Sequence, residues 1–580
     1  MKPPSPALGH GARGSASLRP GRAMRYVEGL GRILVRARYS RWAWGLLLPA
    51  SVLAVGLAGF GEGQAQQDRG ASLVAARGDG TVAVSRLRVT GSTVFPAETL
   101  RALLAPEEGK ELTLAEIEAL AGRITALYRG AGYVLARAYV PPQEIRDGVV
   151  EIAVVEGRIG AVEVRGGTRY DPEVLRSYLA PPAESPAFRL GRHERGMLLL
   201  NDLPGFEVKS TLKPGAEPAT TDIVLDVEKD RLITGSLDAN NYGSRLTGRK
   251  RFSLSLNLNN PFGWGDAASF RGMMSRNVGD LWFVRFSYSL PLGTLGTRVG
   301  ASFTRLESQV GAEFRELGLL GAGDVVSLSA VHPFLRSRNV SVYGQAGFDY
   351  KDFQTDLLGT PISKDHLRVL SLGGVVEAID PWRGANTVSL TLHQGIGGFL
   401  GGLRGGDDPN TSRAGAGGTF TKLTGEATRA QYLWGPASLF GKVGGQWAAG
   451  RLVSAEQFII GGNGAVRGYP IAEAAGDHGY TATLEFRWNA PGFSEVPAFW
   501  EKRWGEILQV FGFVDHGLVA VIDPLPGQQS TIRLTGAGAG IRFGIPDNFH
   551  LKLEYAKPVG KARPSDGRED VFYFLATKWF

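Results

Sequence analysis

From Arg231 to Phe580 the sequence has no helical periodicity, only short runs in which apolar and polar residues alternate. Phe252-Ser-Leu-Ser-Leu-Asn-Leu-Asn259 alternates without a break, as do Val388-Ser-Leu-Thr-Leu392 and Leu551-Lys-Leu-Glu-Tyr555. A period of two places apolar side chains on one face of a strand and polar ones on the other. Turn signals divide the region into sixteen candidate strands, near 232–242, 249–260, 266–276, 281–290, 297–308, 312–331, 339–352, 366–378, 386–397, 418–433, 437–449, 480–489, 507–520, 531–543, 549–556 and 571–580. The number is even. The region allows about 22 residues per strand and connection, enough for antiparallel strands that cross a bilayer in ~9–11 residues. Aromatic residues near the strand ends (Tyr242, Trp264, Trp282, Trp382, Trp434, Trp488, Trp579) suit interfacial girdles better than a soluble array of β-sandwiches. The expected fold is an all-β transmembrane barrel of 16 antiparallel strands with a polar, wet lumen.

The N-terminus supports a membrane destination. Residues 1–41 are rich in Arg, Gly and Pro, Trp42 to Phe60 is almost wholly apolar, and Gly63-Gln64-Ala65 supplies small residues. This order of basic, apolar and small residues reads as a leader and secretory signal over 1–65, cut between Ala65 and Gln66. A permanent membrane helix is the competing reading, and translation from Met24 is an alternative start. After residue 65 no uninterrupted apolar run is long enough to cross as a helix, so a membrane-embedded mature chain crosses as a barrel. A signal with such a barrel implies an outer membrane.

Composition removes several chemistries. The chain of 580 residues has no cysteine, so disulfides, thiolate metal sites and cysteine nucleophiles are excluded. Its eight histidines lack metal-ligand spacing, and no nucleotide-binding loop is found. His516 beside Asp515 falls on the opposite face of its strand, which disfavours a catalytic pair. No enzyme activity, cofactor or metal is expected. The formal charge of +8 is concentrated in the first forty or so residues, which fits a leader and no nucleic-acid face.

Between the signal and the strands lies a linker, 66–83, and then a repeated order of elements. Leu87–Gly91 reads as a strand and turn, Pro96–Leu104 and Leu112–Tyr128 as helices with Thr113 a cap, and Tyr133–Val140 and Val149–Val155 as strands. The order recurs over Val162–Arg165, Pro172–Leu179, Leu190–Leu203, Phe206–Leu212 and Ile223–Val227. Two small α/β units of roughly 70 residues are expected, 84–158 and 159–230.

The first unit, with "VTGSTVF" and "YRGAGYVLARAYVPPQEIRDGVVEIAVVEGRIGAVEVRG", resembles the polypeptide-transport-associated (POTRA) domain of two-partner-secretion transporters, and the second unit resembles it more loosely. The strand region continues the likeness. "LDANNYGSRLTG" at 237–248, "NLNNPFGWGD" at 257–266, "YSLPLGTLGTRVG" at 288–300 and "HPFLRSRN" at 332–339 are similar to the barrel of the haemolysin- and haemagglutinin-type secretion family. The resemblance runs from about 84 to 580. It implies an outer-membrane pore that recognises an unfolded exoprotein of adhesin, haemolysin or toxin class through periplasmic POTRA units, exports it without nucleotide hydrolysis, and is itself inserted by the barrel assembly machinery. Exposed sheet edges in such units can take up a client as an added strand; the bland alternative is that they are spacers.

The resemblance also assigns a site. Val466-Arg467-Gly468-Tyr469 matches the signature of the long inner loop of this family, expected here over about 454–478, and Phe513-Val-Asp515 matches its barrel-wall motif. By that match Arg467 pairs with Asp515 inside the lumen and fastens the loop. An Arg suits the task because its planar fork grips a carboxylate in two places and stays charged. Glu485 and Arg487, two apart on the intervening strand, share a face and line either the same network or solvated lumen. Phe572, Phe574, Trp579 and Phe580 form the terminal assembly signal, although Lys578 stands where an aromatic is usual and Trp579 is expected to compensate. A plug helix is not expected, since Gln66 to Val84 is short, Gly-rich and polar. Rival functions are an insertase for other barrels, which shares the inner-loop motif but usually has more POTRA repeats, and a passive porin, which has neither such repeats nor such a loop.

Overall fold

The computed structural model describes residues 80–180, 186–406 and 408–580. The leader, the Ala65–Gln66 junction and the linker up to residue 79 lie outside these described residues.

Two α/β units open the described chain. In the first, Arg86–Thr90 lies parallel to Val149–Val155, which pairs antiparallel with Arg137–Tyr139. In the second, Arg158–Arg165 lies parallel to Thr220–Asp230, which pairs antiparallel with Phe206–Pro214. Both sheets have the last strand in the centre, so the repeated order of elements is a repeated topology. The long helix of the first unit, Leu114–Gly130, begins where Thr113 and Glu116 form a reciprocal capping box. Its apolar face (Ile117, Leu120, Ile124, Tyr128) is buried against Val150 and Ile152. In the second unit Leu175, Met197, Leu200, Phe206, Ile223 and Leu225 make the equivalent core.

Three sequence expectations change here. Leu112 belongs to a strand, Lys110–Thr113, paired with Thr81–Val84 in an extra two-stranded sheet. The strand expected from Tyr133 to Val140 shrinks to Arg137–Tyr139, because Tyr133–Ala136 closes a turn through Ala136 N donating to Tyr133 O. The strand expected at 312–331 runs from Leu320 to Arg336, with Ala312–Leu317 forming a short 3-10 helix in the preceding loop.

Sixteen antiparallel strands among the described residues then close into a barrel, from Ile233–Asn240 to Val571–Trp579. No described helix is long and apolar enough to cross a membrane. Leu237, Phe286, Leu328, Leu372, Leu390, Leu484 and Val514 are exposed on the outer face, while Asp515, Glu485 and Glu554 are buried on the inner one. The alternation is therefore apolar towards lipid and polar towards the lumen. Trp264, Trp382, Trp434 and Trp488 are exposed near strand ends as girdle residues. Tyr242 and Trp579 are not: Tyr242 packs edge-on to Tyr573 and Trp579 approaches His550, both on the lumen side. Lys578 holds the outward position and donates to Asn548 Oδ1 at 2.6 Å, so Trp579 does not substitute for it by a shifted register.

Closure rests on a short seam. The first and last strands pair only from Leu575↔Asn240 to Trp579↔Ser236. The side chain of Asn241 extends it, donating to Phe572 O at 2.7 Å and accepting from Phe574 N at 2.8 Å. Phe572 and Phe574 thus present their backbone to this seam, and Phe580 N donates to Gly235 O.

The short turns of the barrel face the α/β units. Arg336 clasps Asp202 through two bonds of 2.8 and 2.9 Å, Arg195 donates to Pro333 O, Arg169 to Asn259 O, and Arg338 pairs with Glu194. Arg298 donates to Gly265 O across neighbouring turns. The two longest connections, 396–419 and 449–477, leave from the opposite rim, whereas 490–507 lies on the rim of the short turns.

Candidate functional site

The connection 449–477 turns back into the barrel. Its stem is a small hairpin, Phe458–Ile460 against Ala474–Gly476. Gly461 and Gly462 take φ of +101° and +85°, backbone that side-chain-bearing residues adopt only under strain, and Gly462 N donates to Tyr469 O to shut the tip. The hairpin buries Ile460, Val466 and Tyr469 against Val519 and Leu534 of the wall.

Arg467 sits at the tip, 4% exposed, and Asp515 and Glu554 are each 1% exposed. Its Nε and Nη2 donate to the two oxygens of Asp515 at 2.6 and 2.8 Å, and its backbone N donates to the same carboxylate at 3.1 Å. Its Nη1 reaches Glu485 Oε1 at 3.0 Å and Glu554 Oε1 at 2.8 Å. The guanidinium carbon lies 3.3 Å from the centre of the Phe513 ring, which stacks beneath it. All three nitrogens of the planar cation donate to carboxylates, using four of its five N–H groups, and such pairing is the condition for a charge to remain so deeply buried.

A second tier surrounds it. Arg487 and Arg542 both donate to Glu485 Oε2, and Lys552 pairs with Glu554. The network thus holds four cations and three carboxylates. Strand spacing explains the arrangement: Phe511, Phe513 and Asp515 point inwards at alternate positions, and Glu485 and Arg487 do the same on the strand in register beside them. His516 faces the other side, bonding Thr535 Oγ1 and lying near Tyr480, which is exposed towards lipid.

Close approach depends on three lumen-facing glycines. A Cβ at Gly536 would stand 1.8 Å from Arg467 O, one at Gly538 would strike the Phe513 ring at 2.6 Å, and one at Gly540 the Phe511 ring at 2.5 Å. Loop and wall are complementary at the backbone. Gly468, at φ +95°, presses in the same way on Lys557 and Pro558, and its N–H donates to Tyr573 OH at 3.3 Å.

Val466, Arg467, Gly468, Tyr469, Phe513, Asp515, Glu485 and Arg487, singled out in the sequence, therefore meet in one place. The sequence reading missed Glu554, Arg542, Lys552, Tyr573 and the glycine stripe. The available signals were Lys552-Leu-Glu554, a charge pair at strand spacing, and Gly536-Ala-Gly-Ala-Gly540, glycines at period two inside a strand, which mark close backbone approach. Phe572, Phe574, Trp579 and Phe580 lie at or beside the closing seam.

Nearer the outer rim lies a separate cluster of contacts. Asp477, fully buried, accepts from Arg413 Nη1 at 2.5 Å, Leu452 N at 2.9 Å and Ile522 N at 2.7 Å, tying connection 396–419 to the base of the inner loop. Glu456 receives Lys351 and Lys422 at 2.8 and 2.7 Å. Leu367, Val369, Leu403, Ala416, Leu452 and Val453 form a dry cluster between them. Among the described residues no group of His, Asp and Glu could hold a metal ion.

Comparison with known proteins gives this architecture its relatives. The family model described as "Haemolysin secretion/activation protein ShlB/FhaC/HecB" matches residues 219–543, and "POTRA domain, ShlB-type" matches 82–157. The chain is 24% identical over 473 residues to the heme/hemopexin transporter protein HuxB of Haemophilus influenzae, covering 78% of this chain and 79% of the relative. It is 25% identical over 414 residues to the outer membrane transporter CdiB of Dickeya dadantii, covering 70% and 72%. The solved structure of CdiB from Escherichia coli superposes with a TM-score of 0.71 at 20% identity, over 98% of this chain and 100% of that one, which shows the shared fold. With its family match spanning more than half of its length, the chain belongs to the haemolysin secretion/activation (ShlB/FhaC/HecB) family of two-partner-secretion transporters, its barrel in the outer membrane and its POTRA domains in the periplasm.

Proposed function

We propose that the chain exports one unfolded partner protein, of adhesin, haemolysin or toxin class, and that the inner loop is the element that keeps its pore shut between transport events. The observation that carries this reading is the engagement of all three guanidinium nitrogens of Arg467 by wall carboxylates inside a closed barrel. A passive porin has no use for a buried cation on an infolded hairpin. The partner docks in the periplasm on the two POTRA units, whose sheets end in the edge strands Arg86–Thr90, Arg137–Tyr139, Arg158–Arg165 and Phe206–Pro214. It then enters the barrel, displaces the loop and emerges at the surface, where folding draws it outward without nucleotide hydrolysis. The names of the relatives, a heme/hemopexin transporter and CdiB transporters, support a cargo specific to each member.

The test is to search the neighbouring reading frames for a long, repeat-rich exported protein and to co-express it with this chain, with assay of the medium. Wild type is expected to release the partner, and Arg467→Ala to cut release while the barrel remains inserted. Undiminished release by Arg467→Ala would remove the gating role. Release unaffected by deletion of both POTRA units would remove the docking role. A general loss of other outer-membrane proteins on depletion would instead indicate an insertase.

A further inference from the structure

On the lumen face of the early barrel strands a row of serines lies next to a pair of opposed cations. Ser269, Ser287, Ser302 and Ser327 stand in direct cross-strand register, and the first two share a hydrogen bond of 2.6 Å. One step nearer the cell surface, Arg271 stands directly opposite Arg285. Both are partly exposed, and both point inwards, since Phe270 and Phe286 between them pack together on the lipid side. Like charges placed directly opposite weaken a strand pair, so the barrel gains no stability from this choice. Arg285 donates to Ser302 Oγ at 3.0 Å. The acid on the first strand, Asp238, accepts from Thr577 at 2.5 Å and from Ser236 at 3.3 Å.

We infer that Arg271 and Arg285 form an anion-binding step on the lumen wall that engages the carboxylate side chains of the exported chain as it passes. The inference rests on the export reading above and adds a charge preference to it. Two guanidinium forks beside serine hydroxyls match carboxylates, which accept from both. Serine hydroxyls line the wall on the periplasmic side of the pair and Met273 stands opposite Phe283 one step beyond it; contact with two partly exposed guanidiniums is favourable enough to draw acidic segments in and weak enough to release them, as conduction through a pore requires. A local pair of cations near low-dielectric walls also concentrates its counter-ions, and the inward acids Asp238 and Asp349 stand on other strands.

The absence of native cysteine makes a direct test possible. Ser287→Cys is introduced into the full-length chain in outer-membrane vesicles, with Ser371→Cys, four strands away on the lumen face, as the reference. Modification rates are measured with an anionic and a cationic methanethiosulfonate reagent of similar size. At position 287 the anionic reagent is expected to react faster, by roughly tenfold relative to the same ratio at 371. Arg271→Gln with Arg285→Gln should abolish the excess, and Arg271→Lys with Arg285→Lys should retain it, which separates charge from folding. Polyglutamate of ten residues should slow labelling at 287 in wild type but not in the Gln variant, and polylysine should slow it in neither. An unchanged ratio in the Gln variant, or no labelling at 287 by either reagent, overturns the site. Loss of the ratio without protection by polyglutamate overturns its polypeptide ligand and leaves a site for small anions. None of these readouts depends on export, so failure of the transport reading would show separately, in the medium.

Discussion

Arg467 is held by three acids, and the loss of each partner should not cost the same. Without Arg467 the network retains three cations and three carboxylates; without Asp515 it holds four cations against two. Breaking a buried ion pair from one side costs about 3–5 kcal/mol because a charge is left uncompensated. Asp515→Ala is therefore expected to loosen the hairpin at least as much as Arg467→Ala, and the double variant to be no worse than Asp515→Ala alone. Protease cleavage of the hairpin in intact outer membranes measures this, and strict additivity of the two single effects would contradict the shared network. Gly536→Val supplies a test without removing any charge. Its side chain would occupy the place of the Arg467 carbonyl, so the loop should become cleavable while the barrel stays heat-resistant. How much of this was legible varies with chain distance. Phe513 and Asp515 declare their shared face by spacing alone. Glu554 does not, because it lies 87 positions further along the chain and meets Arg467 only once the strands between are folded into wall. The glycines at 536, 538 and 540 were visible at period two, but the carbonyl and rings that fill them belong to other strands.

At the scale of elements, the quoted family motifs turn out to be joints. "HPFLRSRN" supplies Arg336 and Arg338, "YSLPLGTLGTRVG" supplies Arg298, and "NLNNPFGWGD" supplies the turn that accepts from Arg298 and Arg169. "LDANNYGSRLTG" supplies Asn241 of the seam. Sequence alone showed these segments as distinctive and could not show the reason, since Arg336, Arg338 and Asn259 meet partners 90 or more residues away, Asn241 meets the closing strand, and Arg298 reaches across to a neighbouring turn 33 residues back. The POTRA units carry their own pH dependence. Burial pushes His193 down from the usual 6.5 to about 4, aided by Arg338, and its Nε2 meets Ser210 Oγ at 3.0 Å. Burial raises Glu156, but bonds from Thr93, Tyr128 and the Val94 backbone outweigh it and leave the carboxylate below its usual value. Both groups are depressed on folding, so both lose stability as acid is added. For His193 the loss starts near 6.5, where the unfolded chain begins to take up protons, and continues to about 4. For Glu156 it starts only as the pH falls through the ordinary carboxylate range. Hydrogen-exchange protection of Leu190–Asn201 should therefore fall at a higher pH than that of Leu114–Gly130, once intrinsic rates are corrected. Replacement of His193 by Gln should remove the earlier step, and simultaneous loss of protection in both helices would contradict the assignment.

For the whole molecule, the sixteen-strand count and the order of domains were readable because both follow from local period and turn chemistry. What no local pattern could show is that two long connections are anchored in the same barrel at two depths, which on the gating reading proposed above makes them two closures of one pore. The outer closure joins Arg413 to Asp477 and seals Leu403 against Leu452; the inner one locks Arg467 halfway along the barrel. Obstructions in series have a simple consequence: removal of either leaves the other in the current path. Arg413→Ala should strip Asp477 of its one cationic partner among the described residues and free the 396–419 connection, yet single-channel conductance should rise little. Arg467→Ala alone should give brief, irregular openings, because the tip is loose while the base of the same loop remains tied through Glu456 and Asp477. Only Arg413→Ala combined with Arg467→Ala should produce long, steady openings in planar bilayers. An exported chain arriving from the periplasm meets the inner obstruction first, so energy spent displacing Arg467 also pulls on the stem that carries Asp477. Release would then propagate outward along a single hairpin. If Arg413→Ala by itself opened the pore fully, the inner hairpin would not be an obstruction, and its buried arginine would have to be explained by barrel stability alone.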